Sequence, residues 1–171
     1  MADTHIAPPP TGKKTFDITT RNNSLALLDE LLNEEKNLSK ILIIKRESAG
    51  LNRLVKNISE DSDKGAKMLK TLAKKDPDLN IAATDLPRGE AATRKAIAKT
   101  KEHALLHTKG PEFQFQILLT QAEALNYGAH LALVAAENEP EPSRAREFSN
   151  LSKQLEQLHE QVLAMLRSGG G

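Results

Sequence analysis

Four residues of this chain are of a type and spacing that could do chemistry: Glu35, Asp61, Glu156 and His159. Each falls on or beside an apolar face when the chain is wound at about 100° per residue. Glu35 lies among Leu28, Leu31, Leu38 and Leu42, and Asp61 among Leu54, Ile58, Gly65, Met68 and Leu72. His159 is in line with Leu155, Val162 and Leu166, close to Phe148, with Glu156 one turn earlier at the edge of that face. Burying such groups is costly unless they are paired, hydrogen-bonded or bound to a metal.

Glu156 and His159 make a Glu-x-x-His step, which puts a carboxylate and an imidazole within reach of one cation. Carboxylates from facing helices would complete the ligand logic of a di-metal helical bundle, with a divalent metal such as Fe or Zn as the only cofactor to consider. A full di-iron site needs that step twice. The chain has it once, and the fourth helix offers Gln114 and Gln121 on its inner face in place of Glu and His. Two other readings compete. Glu35, Asp61 and His159 can form a hydrogen-bonded polar layer, or the carboxylates can reach solvent at the edge of the stripe. The polar layer is preferred.

The remaining histidines carry less. His103 and His107, four apart, could bind zinc or nickel, but two imidazoles alone are a poor site, and packing against the other helices is expected instead. Glu123, His130 and Glu137 recur every seven residues beside Tyr127, a pattern of a solvated face or of a seam for a partner helix. His5 lies in the N-terminal arm. With no cysteine, thiolate chemistry is excluded. No serine sits on a strand-to-helix elbow, and there is no phosphate-binding glycine motif. Enzymatic activity is therefore not favoured.

These side chains must be positioned by helices. The chain has 171 residues, 39% hydrophobic and 27% charged, enough for one domain with a core. Aromatics are only 3%, so the core has to be built of Leu, Ile and Ala, which favours closely packed helices. The formal net charge of +1, from 24 basic and 23 acidic residues, gives no excess for binding phosphates, so nucleic acid is not an expected partner. No apolar run approaches the roughly 20 residues needed to span a bilayer.

Residues 1–21, with Pro8-Pro9-Pro10, read as an extended arm, residues 22–167 as the helical domain, and residues 168–171 as a glycine tail. The first helix is expected from about 24 to 48, with Gly50 as its stop, and the second from about 51 to 75. An alternative joins these two through Gly50 and breaks at Asp61-Ser62-Asp63, but the hairpin at Gly50 is preferred. Pro87 and Pro111 open the third and fourth helices, ending near Thr108 and Asn138. Glu139-Pro140-Glu141-Pro142 then breaks the chain before a fifth helix from Ser143 to about Arg167. The expected architecture is all-α: an antiparallel four-helix bundle with one additional shorter helix, that starting near 87.

Several short segments carry a resemblance. They are Leu86-Pro87 opening a helix, Gly110 with Glu112-Phe113, Phe148 eleven residues before His159, Glu35 with Leu38 and Leu42, and Leu69-Lys70-Thr71-Leu72-Ala73. Over residues 24 to 167 the chain resembles a small bacterial ferritin-like family of predicted exported proteins that has no assigned function. The resemblance implies a ferritin-like four-helix bundle, often behind a signal peptide or lipoprotein signal, and metal binding. Where that family carries an Asp-His pair this chain has Asp61-Ser62, and where it carries a fourth-helix His this chain has Leu125, with His130 out of register. His159 alone carries across.

The first ten residues lack a basic n-region and an apolar h-region. As written the chain is expected to be cytoplasmic, or periplasmic or exported if its start is a processed end. The leading expectation for function is a non-enzymatic helical protein acting through a protein partner or homo-oligomer, or as a stress-associated structural protein. The alternatives are a ferritin-like metal-binding protein using Glu35, Asp61, Glu156 and His159, and a cytoplasmic export chaperone whose Leu31-Leu32-x-Glu34-Glu35 segment grips a partner helix.

Overall fold

The computed structural model describes residues 15–82 and 85–169. These form five α-helices and one 3-10 segment, without a strand among the described residues: α1 (Ile18–Glu35), the 3-10 segment (Leu38–Ile43), α2 (Ala49–Lys75), α3 (Arg88–His107), α4 (Gly110–Glu137) and α5 (Pro142–Arg167). No helix among the described residues is long and apolar enough to cross a membrane. Most of the expected arm, residues 1–14, and the last two residues of the glycine tail lie outside the described residues.

The first helix departs from expectation at both ends. It starts at Ile18, inside the stretch expected to be arm, because Asp17 is its N-cap and accepts a hydrogen bond from the Thr20 amide at 3.0 Å. It stops at Glu35, well before Ser48. Asn33 Nδ2 donates to the Asp29 carbonyl at 2.6 Å and Asn37 Nδ2 to the Asn33 carbonyl at 2.9 Å, so side chains compete for the acceptors of the last turns. A 3-10 segment follows. Gly50 is not a stop: it lies in the first turn of α2, whose N-cap is Ser48, and α2 runs unbroken through Asp61-Ser62-Asp63. The other boundaries lie within a residue or two of their sequence signals. The cap of α5 is Glu141, which accepts from the Ser143 and Arg144 amides. The Ser143 hydroxyl and those amides pull its carboxyl down to about 2.

The packing follows from which faces are apolar. α4 lies along α5, where Ser152 Oγ donates to the Ala129 carbonyl at 2.9 Å and Gly128 leaves room for Leu155. α1 packs on α4 and on α2, and α2 also meets α5. The registers are antiparallel. At one end the Asp17 amide donates to Asn138 Oδ1 at 3.2 Å, and further along α1 Leu28 and Leu31 flank Gly128. Gly65 of α2 sits between Leu32 and Leu151, with Gly50 near Met165 and Asp76 paired to Arg144 at the two ends. Phe113, Ile117, Phe148, Leu25 and Leu28 are fully enclosed in the core between these elements.

α3 is attached differently. Only Leu105 of its 20 residues is buried, and it touches α4 alone among the long helices in any extended way. Gly110, at φ +57°, makes the reversal from α3 into α4 in a conformation that other residues resist. Lys45, just past the 3-10 segment, ties the end of α3 down by donating to the carbonyls of Leu106 (2.9 Å) and Thr108 (2.7 Å).

Gly65 has a testable consequence. A methyl group there would stand 3.1 Å from Cδ1 of both Leu32 and Leu151, which are themselves buried. Gly65→Val is therefore expected to cost about 1–3 kcal/mol by overpacking, despite valine's better helix propensity. The midpoint and slope of urea unfolding check it; an unchanged midpoint would show that the helices separate freely here.

Candidate functional site

The structure does not bring the four expected metal ligands together. Asp61 is half-buried on α2 and accepts from Lys64 Nζ at 2.8 Å. Glu156 is exposed on α5, in a shallow groove with Lys153 and Glu160. His159, also on α5, is half-buried. Glu35 is at the C-terminal end of α1, in a cavity whose walls include neither Asp61, Glu156 nor His159. Among the described residues no group of three His, Asp or Glu side chains is placed to hold a metal ion. The donor set does not fit a di-metal carboxylate centre. Nor is there the expected layer of Glu35, Asp61 and His159: the buried polar side chains are instead Arg21, Ser24, Ser59, Ser62, Gln121, Glu139 and Ser152.

The other histidines among the described residues are on the surface. His103 and His107 are exposed rather than packed against the helices, with their rings stacked at 3.9 Å, and His107 Nδ1 is 2.8 Å from the His103 carbonyl. Glu123, His130 and Glu137 are exposed along α4, and Glu123 pairs with Lys101 of α3.

Glu35 is nevertheless in an unusual place. The end of α1, the 3-10 segment, α3 and the middle of α4 enclose a cavity of about 900 Å³. Its walls are mainly apolar, from Leu31, Leu38, Ile41, Ile97 and Leu105, with Glu35 and Gln121 among them. It lies where the chain leaves α1 in a 3-10 turn instead of continuing the helix, and α3 borders it with Ile97, Ala98, Leu105 and Leu106. Glu35 Oε2 and Gln121 Oε1 are both cut off from solvent and have no hydrogen-bond partner. Two sealed polar atoms without a partner, on side chains that border one cavity, are uncommon in a folded protein.

Burial pushes the Glu35 carboxyl up to about 7. A hydrogen bond from Gln121 acts the other way, nearby Glu34 adds to the rise, and Lys101 opposes it. Two of the three cations bordering the cavity are engaged: Lys101 with Glu123, and Arg94 with Glu90, with the Tyr127 hydroxyl and over the Tyr127 ring. Ile44 and Ile97 are 66% and 50% exposed at the mouth, leaving apolar surface open to whatever enters.

A second polar cluster went unseen in the sequence. Arg21 and Glu139, 1% and 2% exposed, pair at 3.2 Å where the start of α1 meets the α4–α5 connection. Arg21 also donates to the Asp78 carbonyl at 2.6 Å, and Arg144 bridges Glu139 (2.7 Å) to Asp76. These contacts tie helix ends to one another, and none of these residues lines the cavity beside Glu35, which makes the cluster a structural clasp. Its members had no sequence signal: Arg21 lay in the expected arm and Glu139 in a proline-bracketed turn that reads as solvated.

Set against protein-family models, characterised proteins and solved structures, the chain matches none of them.

Proposed function

We propose that the protein is a non-enzymatic binding protein that holds an apolar guest in the cavity between α1, the 3-10 segment, α3 and α4. The observation that carries this is the cavity itself: about 900 Å³ and apolar-walled, with Glu35 and Gln121 among the residues that line it. That volume is in the range of small-molecule sites, as is the combination of greasy walls with a few convergent polar groups. No nucleophile, base and orienting group converge there, so binding without covalent chemistry is the economical reading.

The scaffold in this reading is a four-helix bundle of α1, α2, α4 and α5, with α3 as a flap across one side. Support comes from the neighbour pairs α1–α2, α2–α5, α5–α4 and α4–α1, which close a ring. The directions are up, down, down, up, with one long crossover between α2 and α4, which is the order of ferritin-like bundles. The likeness extends to topology and not to the ligand set.

Nile red, a neutral dye that brightens in apolar surroundings, tests the proposal. It is expected to bind with micromolar affinity and to lose at least about tenfold in affinity in Ala98→Trp, which fills the cavity from α3. Equal brightening in both proteins would place the dye elsewhere and remove the basis for the reading.

The exposure of Ile43 and Ile44, 84% and 66%, favours a second reading in which two copies of the chain associate through this corner. Sedimentation of the wild type and of Ile43→Lys separates the two: a concentration-dependent dimer lost in the variant supports association, and a monomer throughout rejects it.

A further inference from the structure

The corner where the 3-10 segment meets the end of α3 combines exposed aliphatic side chains with concentrated positive charge. Ile43 and Ile44 are 84% and 66% exposed, and Leu106 of α3 is 45% exposed. Lys45 joins the two elements by donating to the Leu106 and Thr108 carbonyls, and Ile44, Leu106 and Lys40 border the same cavity. Ten of the chain's 24 bases but only two of its 23 acids, Glu90 and Glu102, fall in residues 36–46 and 88–109. The remainder is acidic, although the whole chain is nearly neutral. Lys40, Arg46, Lys95, Lys99 and Lys109 are exposed and pair with no carboxylate among the described residues. At about 100° per residue, Lys95, Leu106 and Lys99 share one narrow arc of α3, with Glu102 at its edge.

We propose that this corner docks the protein on an anionic lipid surface, with Ile43, Ile44 and Leu106 entering the acyl-chain boundary and the surrounding bases lying against the headgroups. A basic rim around protruding aliphatic side chains is the composition of membrane contacts that lie in the interface without spanning it. Each lysine or arginine near an anionic leaflet adds attraction and each inserted isoleucine adds apolar burial, so the two act together. Protruding side chains suit a fluid bilayer, which needs no preformed pocket to receive them. An acidic protein would have to supply matching concavities. A second copy of the chain would bring like charges face to face, and aliphatic side chains do not stack on the bases of a nucleic acid. Docking here does not depend on the cavity being a binding site.

Co-sedimentation of the full chain with lipid vesicles tests the proposal. Binding to phosphatidylcholine vesicles that contain phosphatidylserine is expected to be at least about tenfold tighter than to phosphatidylcholine alone. It is expected to weaken as salt rises from about 0.1 M to about 1 M. Ile43→Ser with Ile44→Ser is expected to lose at least about tenfold in vesicle affinity, and Lys95→Glu with Lys99→Glu to lose as much. Arg146→Glu with Lys153→Glu makes the same change of net charge at exposed positions of α5, and is expected to lose about twofold or less. All six positions are exposed, so the fold tolerates these substitutions. Equal binding to both kinds of vesicle, or an equal loss in the α5 pair, overturns the proposal. Binding retained after the isoleucine substitutions overturns it too, because charge alone would then suffice. Failure to bind vesicles also overturns it: capture by polyglutamate would then point to an acidic protein, and a dimer lost in Ile43→Lys to a second copy.

Discussion

Glu139→Ala is expected to cost about 3–5 kcal/mol of folding stability, the range for removing one partner from a buried ion pair. The loss comes less from the missing attraction than from what stays behind. Arg21 is 1% exposed, and without Glu139 its guanidinium keeps only the Asn22 side chain and the Asp78 carbonyl as acceptors. A buried cation without a counter-charge is among the most destabilising arrangements a core can hold. The same substitution strips Arg144 of one of its two carboxylates and deprives the Glu141 amide of the oxygen it donates to at 2.8 Å. The start of α1, the end of α2 and the α4–α5 connection would all loosen at once. Urea unfolding at neutral pH measures the effect. Replacing both partners, Arg21→Met with Glu139→Met, is expected to recover part of the loss, because an apolar pair leaves no charge stranded. A loss under about 1 kcal/mol in the single variant would mean that water reaches Arg21 and that the clasp is not sealed.

Glu35→Gln is expected to do the opposite, stabilising the protein by about 1–3 kcal/mol above pH 7 and by little near pH 5. The Glu35 carboxyl, ordinarily near 4.5, is raised to about 7 by burial. Between those two values the folded chain holds a proton that the unfolded chain has released. Stability from this group is therefore greatest below about pH 4.5, declines as pH rises toward 7, and stays at its lower level beyond. The lower end of the range allows for the partial exposure of the residue as a whole, even though Oε2 is sealed. Glutamine cannot ionise, so the difference between variant and wild type should open from pH 5 to about pH 7 in urea melts and level off above it. A difference constant across that range would show that Glu35 titrates as an ordinary surface carboxyl.

Local signals in the chain were sufficient for much of the fold. Helical periodicity with Pro87, Pro111 and Pro142 placed α3, α4 and α5 within a residue or two. The Leu and Ala pattern of α2 located it as well, apart from the misread Gly50, because a glycine in the first turn of a helix has the same letter as one that ends a helix. The true end of α1 was written in Asn33 and Asn37, whose side chains reach back to carbonyls one turn earlier, but the apolar run through Ile41 and Leu42 masked it.

Glu35 could be singled out from sequence because an acid among leucines at helical spacing is a local contradiction, visible without knowing its neighbours. Asp61 and His159 produced the same signal but stay at the edges of their faces, since periodicity gives an angle around an axis and not the distance to the next helix. The pairing of Arg21 with Glu139, 118 residues apart, and the meeting of Glu35 with Gln121 were decided only when the helices packed. The cavity belongs to the same class. It is set by how far the 3-10 segment and α3 stand from α4, a separation governed by side-chain volumes from three elements at once, and no stretch of sequence contains that sum.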